Sequence, residues 1–488
     1  MRFSFLFKIA AIIATVLLFQ WLFPDGFEGA RVGGFAAAWL ALLVAVRRDV
    51  RHSRPAWVAV GAAALFAAML VDDPGPLSWA MFWAALSVAA LLPRIGAFDD
   101  AWRWSVRLLV HGLSTPFALP FDLKRMGAVR GRGVSPMRVA AVLALPVLGS
   151  ALFLMLFASA NPLIENAFST IRLPETWQVT LWAVVALAAW PAFRPRGMVS
   201  RIAAWLPDPE PRIPGTSLPS VIMALVVFNL IFAVQNALDI AFLWSGAALP
   251  EGMNAATYAH RGAYPLIATA LLAGFLALAM LRPGSASAGD RWARRLVTLW
   301  VAQNLVLVAS SVLRTLDYID ESMLTAWRIA ALLWMGLVAL GLMLIAWRIL
   351  GGKSARWLVN ANALGAGIVL SVCSVVDLGA AAAAYNVQAK RPEAVDLAYL
   401  WLVGDGALLP IIALERRPMD AATRGRVRHV RRALQADLAW RQARWGTWTL
   451  RGARRLAAVR QQVGEITAQP APSGSWYGYR SLPKPVRP

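Results

Sequence analysis

The chain has 488 residues, of which 59% are hydrophobic and 15% charged, and its mean hydropathy is +0.57. This composition excludes an ordinary soluble protein built from several domains. The formal net charge is +22, but most basic residues fall in loops between apolar runs. That distribution is typical of membrane topology rather than of nucleic-acid binding. We therefore expect no nucleic-acid partner.

Apolar runs of about 20 residues, the length that crosses a bilayer core as a helix, recur along the chain. We predict an all-α, polytopic transmembrane helix bundle with twelve spans: 4–23, 30–46, 56–72, 77–92, 137–158, 177–193, 219–243, 263–281, 296–313, 326–346, 358–378 and 398–414. The second to fourth runs are short, so ten spans is the alternative. The first run is too long for a signal peptide and lacks an A-x-A site, which indicates a retained anchor.

Lysine and arginine are concentrated in alternate loops. Most of the 48 basic residues lie in the segments 47–55, 93–136, 194–218, 282–295 and 347–357 and in the tail after residue 414. Cytoplasmic loops of membrane proteins are enriched in Lys and Arg. We therefore predict that both termini are cytoplasmic and that the protein lies in the inner membrane of a bacterium.

The chain divides into four regions. Residues 1–92 are predicted to form transmembrane hairpins, residues 93–136 a basic cytoplasmic loop with an interfacial helix, residues 137–414 a polar-lined transmembrane core, and residues 415–488 a basic tail that is disordered at its end. One helical face of the tail is apolar and the other is rich in arginine. The apolar positions are Val427, Val430, Leu434 and Leu438. We expect this helix to lie on the anionic inner leaflet; docking of a soluble partner is the alternative.

The span 219–243 carries polar residues that share one helical face. A central aspartate facing lipid would cost roughly 2.5–3.5 kcal/mol, so this face should point into the bundle. With polar residues of later spans it predicts one cavity in the outer half of the membrane. Its candidate lining is Asn229, Gln235, Asn236, Asp239, Gln303, Asn304, Asp377 and Asp405. The alternatives are hydrogen bonds between helices for the amides and structural ion pairs for the acids, with Arg314 or Arg328 as partners.

Signatures of metal and cofactor chemistry are missing from the sequence. The single cysteine, Cys373, excludes an intrachain disulfide and a cysteine metal centre. Four histidines fall in separate segments without the spacing of a metal site: His52, His111, His260 and His429. There is no phosphate-binding glycine loop, nucleophile elbow or H-E-x-x-H motif. We predict no metal, no cofactor and no enzymatic activity.

Four segments carry a resemblance to a known family: "FASANPLIENAF", "LPEGMNAATYAHRGAYPLI", "LTAWRIAALLWM" and "AYNVQAKRPEAVDLAYLWLVGDGALLPII". In this order they resemble a bacterial polytopic membrane-protein family of unknown function, of the domain of unknown function 4173 or 4153 type. The matching positions are Tyr258, Ala259, Gly262, Leu324, Thr325, Arg328, Asn386, Asp396, Leu397, Tyr399, Leu400 and Asp405. The resemblance covers roughly 140–414, and Asn161 stands where the family often has an acid. It implies a multi-pass membrane fold and no known activity.

Three functions fit these observations. Transport of a small solute through the polar cavity ranks first, because polar groups within the spans are numerous; a continuous wet path would favour it. A sensor ranks second, with an acidic outer rim for a ligand and a tail that signals to an unknown partner; a cavity closed on the inner side would favour it. An enzyme acting on lipid-linked substrates beside His260 ranks last, and would need a lateral opening to lipid.

Overall fold

The computed structural model of the chain describes residues 2–24, 26–129, 175–197, 199, 202, 217–241, 255–281 and 285–470. The regular elements in these ranges are helices, so the prediction of an all-α fold is confirmed for them. In chain order they are α1 (Arg2–Leu22), α2 (Arg31–Val46), α3 (Arg48–His52), α4 (Arg54–Asp72), α5 (Pro76–Ile95), α6 (Ala101–Val129), α7 (Thr176–Phe193), α8 (Leu218–Asp239), α9 (Ala255–Met280), α10 (Ala286–Gly289), α11 (Arg291–Ser322), α12 (Ala326–Gly351), α13 (Ala355–Val375), α14 (Leu378–Ala389), α15 (Leu397–Val403), α16 (Leu408–Glu415), α17 (Ala421–Gln442) and α18 (Leu450–Val463).

Eight segments of the described chain are long and apolar enough to cross a membrane: α4, α5, α7, α8, α11, α12, α13 and Leu397–Glu415. Shorter apolar stretches occur in α1, α2 and α9. The described helices are therefore compatible with a multi-pass membrane protein, while the count of twelve or ten spans stays a prediction. The predicted span 137–158, Asn161 and the end of the tail, 471–488, lie outside the described residues.

Hydrogen bonds between segments identify one end of the bundle. Arg47 donates to the carbonyl oxygens of Ala90 and Ala192, at 2.6 and 3.1 Å, and so joins α2, α5 and α7. On another side, Arg294 of α11 donates to the carbonyl oxygen of Ile349 in α12 at 3.2 Å. The loops rich in Lys and Arg lie here, so we call this the basic end.

At the other end, the C-terminal helices cover the turns of the bundle. The backbone N–H of Ala30, between α1 and α2, donates to the carbonyl oxygen of Trp448 at 2.7 Å. Arg451 of α18 donates to Asp72 Oδ2 at 2.9 Å and to the carbonyl oxygen of Val375 at 2.8 Å. We call residues 377–470, which hold α14 to α18, the C-terminal cap, and this side of the bundle the capped end.

The segment Leu397–Glu415 does not cross the bundle as one straight helix. A 3₁₀ turn divides it into α15 and α16. At its start, Tyr399 accepts from the backbone N–H of Ala326 at 3.0 Å. Just after its end, Arg417 donates to the carbonyl oxygen of Lys390 at 2.8 Å, and the Lys390 ammonium donates to the last turn of α11. The segment is long and apolar enough for the predicted span at 398–414, which stays a prediction, but it is built from two helices rather than one.

The tail helix α17 buries the apolar face that was expected to contact lipid. Its four predicted positions are at most 6% exposed and share one core with α16: Val427, Val430, Leu434 and Leu438. The tail also contacts the α1–α2 and α4–α5 turns, which the alternating map puts on the opposite side of the membrane. The predictions of a tail beside the basic loops and of this face on the inner leaflet are therefore wrong. Sequence shows that a face is apolar, but not whether protein or lipid covers it.

Two further cores lie within the bundle. One joins α1, α2, α4, α5 and α7 around Trp39, Phe82 and Trp190. The other joins α8, α9, α11 and α12 around Trp300 and Leu342. Each fully buried aliphatic or phenylalanine side chain stabilises the folded chain by about 1.5–3 kcal/mol. The helix α6, predicted as a short interfacial helix, is longer and packs against α7 and α13.

Candidate functional site

The polar face of α8 packs directly against α11. Asn229 Nδ2 donates to the carbonyl oxygen of Leu296 at 3.0 Å, and Asn229 Oδ1 accepts from Gln303 Nε2 at 3.3 Å. Further along, Asn236 Nδ2 donates to the carbonyl oxygen of Gln303 at 3.1 Å. Both asparagines are 7% exposed, so they face protein rather than lipid. These amides join two helices, which is the alternative to a cavity lining that the sequence left open.

An ion pair ends this face. Asp239 Oδ1 lies 2.5 Å from Arg314 Nη2 of α11, and the two side chains are 4% and 8% exposed. Gln235 Nε2 donates to the same carboxylate oxygen at 3.0 Å. Of the two candidate charge partners, Arg314 is therefore the one that pairs. Removing one partner of such a buried pair costs about 3–5 kcal/mol, because the remaining charge is left uncompensated.

Several buried acceptor oxygens of this cluster lack a hydrogen-bond donor in the part of the chain that the structure describes: Asn236 Oδ1, Asp239 Oδ2, Gln303 Oε1 and Asn304 Oδ1. Asn304 is fully buried and, among the residues that the structure describes, donates only within its own helix, to the carbonyl oxygen of Trp300 at 2.8 Å. A buried polar atom without a partner costs about 1–3 kcal/mol. The α8–α11 interface thus contains more polar groups than the hydrogen bonds between the two helices use.

Asp377 and Asp405 belong to a different set of contacts, within the C-terminal cap. Arg455 of α18 joins them, with Nη2 2.9 Å from Asp377 Oδ2 and Nη1 2.7 Å from Asp405 Oδ2. Arg441 of α17 lies 3.2 Å from Asp405 Oδ1. The eight residues predicted to line one cavity therefore divide into two groups, and the single-cavity prediction is wrong. The physical reason is that the tail folds back and supplies the charge partners of these two acids.

Short turns position the two acids. Asp377 is the N-cap of α14, where its Oδ1 accepts from the backbone N–H of Ala380 at 2.8 Å, and its Oδ2 is left for the arginine. Asp405 lies in the 3₁₀ turn, which begins at Gly404 with φ +72°, a conformation that glycine adopts without steric penalty. A Cβ at Gly406 would lie 3.0 Å from Asp377 Oδ2. Glycine therefore lets this turn approach the start of α14.

A polar cavity of about 360 Å³ lies where the cap meets the bundle. Four carboxylates and three guanidinium groups line it: Glu28, Asp73, Asp377, Asp405, Arg441, Arg451 and Arg455. Arg451 Nη1 lies 2.8 Å from Asp73 Oδ2. Burial raises the pKa of the Asp73 carboxyl, Arg451 opposes that rise, and the charges of Asp377 and Asp405 add to it. The lining thus combines ion pairs with the Asp73 carboxyl, which is stabilised when it binds a proton or a cation.

Two of the family-motif residues, Asn386 and Tyr399, attach the turn between α11 and α12 to the C-terminal cap. Asn386 of α14 bonds both polar groups of Leu324, donating to its carbonyl oxygen at 2.8 Å and accepting from its N–H at 2.7 Å. Tyr399 bonds the neighbouring N–H of Ala326. These contacts give hydrogen-bond partners to backbone N–H and C=O groups of a turn, which has no helical hydrogen bonds of its own. Asn386 and Tyr399 therefore have a structural role.

The remaining motif positions are also structural where they are described. Thr325 Oγ1 accepts from the N–H of Arg328 and caps α12, and Asp396 Oδ1 accepts from the N–H of Ala398 and caps α15. The Arg328 guanidinium lies 3.8 Å from the ring centre of Tyr318 and donates to backbone oxygens of the α11–α12 turn, so it is not the partner of a buried acid. Tyr258 and Gly262 lie in α9, in a stretch whose side chains are outside the described part.

Sequence reasoning missed the basic half of the cavity and two of its acids. Arg451 and Arg455 lie four residues apart, so they share a face of α18. That spacing was a usable signal, but a charged face is usually solvated, and the tail was expected to be remote from the bundle. Glu28 and Asp73 lie in turns between spans, where nothing local marks them as neighbours of the tail.

Comparison with known proteins gives a family and no activity. A family model described as a domain of unknown function (DUF4153) matches residues 35–414. No curated protein and no solved structure matches the chain. The match begins in α2, so it includes N-terminal helices that the resemblance over 140–414 left out, and it ends in α16, before α17 and α18. Because the match covers most of its length, the chain belongs to the DUF4153 family.

Proposed function

We propose that this protein is a membrane receptor of the sensor type, which binds a small solute with a cationic group in the cavity at the capped end. The observation that carries the proposal is the charge of the lining. Each of the three guanidinium groups is already bonded to a carboxylate. Glu28, in contrast, has no ion pair among the described residues, although it lines the same cavity. An ammonium or guanidinium group is the charge that such a lining attracts.

We infer that the basic end faces the cytoplasm and that the cap lies outside, in the inner membrane of a bacterium. Support comes from the short loops rich in Lys and Arg at the basic end. The arginines of the cap do not oppose this orientation, because long folded segments are translocated largely regardless of their charge. The cavity is then open to solutes outside the cell, and the tail is not cytoplasmic.

The cap is the element that responds in this proposal. The cavity lies between Glu28 and Asp73 of the bundle and Asp405 of the cap, and Arg451 bonds the cap to the bundle through Asp73. A cation bound between Glu28 and Asp73 competes with Arg451 for the same carboxylate. Occupancy therefore changes how firmly the cap is held, since a ligand shifts an equilibrium by its differential affinity for the two states.

Thermal unfolding of the purified protein in lipid nanodiscs tests the binding step. Putrescine, L-lysine, L-glutamate and D-glucose are compared at equal ionic strength. We expect putrescine and lysine to raise the midpoint, since a ligand at 100 times its Kd stabilises by about 2.7 kcal/mol. Glu28→Gln should abolish the rise, whereas the matched variant Glu393→Gln, an exposed acid of the cap, should keep it. Equal effects of all four solutes, or an unchanged response in Glu28→Gln, would contradict the proposal.

Transport is the second candidate, and the α8–α11 interface favours it. That interface holds the buried Asp239–Arg314 pair and acceptor oxygens that lack a donor among the described residues, and a passing cation or water can bond these oxygens. Uptake of labelled lysine into proteoliposomes separates the two functions. Uptake that Gln303→Leu abolishes while binding at the capped end persists would establish transport; binding without uptake supports the sensor.

A further inference from the structure

We propose that α9, α11, α12 and α13 form a binding site for one anionic phospholipid at the basic end. Two adjoining cavities carry the proposal, one basic and one apolar. They are separate from the cavity at the capped end, so this site does not depend on the proposed receptor function. The basic cavity would hold the phosphate of the headgroup, and the apolar groove would hold an acyl chain.

The basic cavity has a volume of about 260 Å³ and lies beside the turn between α12 and α13. Its charged lining among the described residues consists of Arg294, Arg348 and Lys353. Arg348 is only 5% exposed, so its guanidinium is held in place by protein, whereas Lys353 is exposed. Arg294 is oriented by its bond to the end of α12. Three cations gathered around one cavity favour a phosphate.

The apolar groove has a volume of about 600 Å³ and runs between α9, α12 and α13. Leu271, Phe275 and Trp334 line it and are each about half exposed, so the groove is open to the surroundings of the bundle. Its α12 wall extends from Trp334 to Ile345, about 16 Å at 1.5 Å per residue. That length suits much of one acyl chain, and an open apolar groove within a membrane is filled by lipid.

The two cavities meet at the basic end. Leu278 of α9 lines the groove, and Leu281, directly after the end of α9, lines the basic cavity; on α12, Ile345 lines the groove and Arg348, three residues later, lines the basic cavity. The groove therefore leads from the apolar region directly to the cations. This is the arrangement of a phospholipid, whose charged headgroup and chains are covalently joined, and not of free phosphate.

Native mass spectrometry of the protein with added lipid tests the site. Phosphatidylglycerol should bind at least about five-fold more tightly than phosphatidylcholine, since one lysine or arginine near a lipid surface contributes about 1 kcal/mol. Lys353→Gln should weaken phosphatidylglycerol binding by about the same factor. Arg54→Gln removes an exposed charge at the same end, outside the cavity, and should have no effect. Equal affinity for the two lipids would overturn the proposal, as would equal effects of the two variants.

A second pair of variants tests the groove. Ala363→Phe fills the groove at an exposed lining position, while Leu364→Phe alters the adjacent residue, which is 66% exposed and does not line it. Ala363→Phe should weaken phosphatidylglycerol binding, and Leu364→Phe should not. Inorganic phosphate, added alone, should compete only weakly. Phosphate that displaces the lipid completely, or equal effects of the two phenylalanines, would show a free-anion site and refute a lipid site.

Discussion

Arg451 bonds the cap to the bundle through three groups, and its replacement by glutamine gives a quantitative test. Its guanidinium bonds Asp72 at 2.9 Å, Asp73 at 2.8 Å and the carbonyl oxygen of Val375 at 2.8 Å, and its side chain is 17% exposed. Hydrogen bonds to charged groups contribute about 1.5–3 kcal/mol when shielded. The bond to Asp73 contributes less, because that carboxylate is 50% exposed and solvent screens it.

We expect Arg451→Gln to destabilise the docked state of α18 by about 2–4 kcal/mol. Hydrogen exchange of the amides in residues 446–456, measured in nanodiscs, reports this local opening. The exchange rates should rise by about 30- to 1000-fold, since each 1.4 kcal/mol is a factor of ten.

Arg454→Gln is the matched control on the same helix. Arg454 is 72% exposed and lies 3.6 Å from the same Asp72, so its loss should change stability by less than about 1 kcal/mol. Equal acceleration of exchange in the two variants, or a change of less than about three-fold in Arg451→Gln, would show that Arg451 does not hold α18 in place.

Three further predictions follow from the contacts. The pKa of the Asp73 carboxyl is raised in the folded protein, so the folded state binds more protons at this group than the unfolded state does. The stability of the cap should therefore fall as pH rises above the ordinary carboxyl pKa, and Asp73→Asn should flatten this pH dependence in thermal melts. Leu438→Asp puts a carboxylate into the cap core, where Leu438 is fully buried, and should make the cap sensitive to trypsin while the exposed Ala422→Asp does not. Arg314→Leu should lower the yield of folded protein by leaving Asp239 unpaired, and adding Asp239→Leu should restore it; no recovery would argue against a structural pair.

The membrane helices could be predicted from sequence because their apolar runs exceed the length of a bilayer span. The burial of the polar face of α8 could be predicted too, since exposing Asn229 and Asp239 to lipid would cost free energy. The division of the segment 398–414 into two helices could not, because its composition equals that of one continuous span. This division depends on Gly404 and on bonds such as that of Tyr399 to the α11–α12 turn, which are contacts between distant parts of the chain.

The candidate site was harder to predict for the same reason. Asp377 and Asp405 were correctly singled out as unusual acids, but their partners Arg441 and Arg455 lie in a tail that reads as a basic surface helix. An amphipathic helix has the same pattern on a lipid surface and on a protein core. Only the tertiary structure distinguishes these two environments, and it selects the protein core.

The C-terminal cap covers the α1–α2 and α4–α5 turns, and one cross-link tests this contact. Ala30 and Trp448 share a backbone hydrogen bond of 2.7 Å, which brings their Cα atoms within about 6 Å, a separation that a disulfide spans. With Cys373 replaced by serine, the chain has no other cysteine. The double variant Ala30→Cys and Trp448→Cys should form an intrachain disulfide on mild oxidation in membranes, detected by a mobility shift that reductant reverses. Absence of this cross-link in folded protein, together with an efficient one between Trp448→Cys and Arg48→Cys at the basic end, would contradict the account.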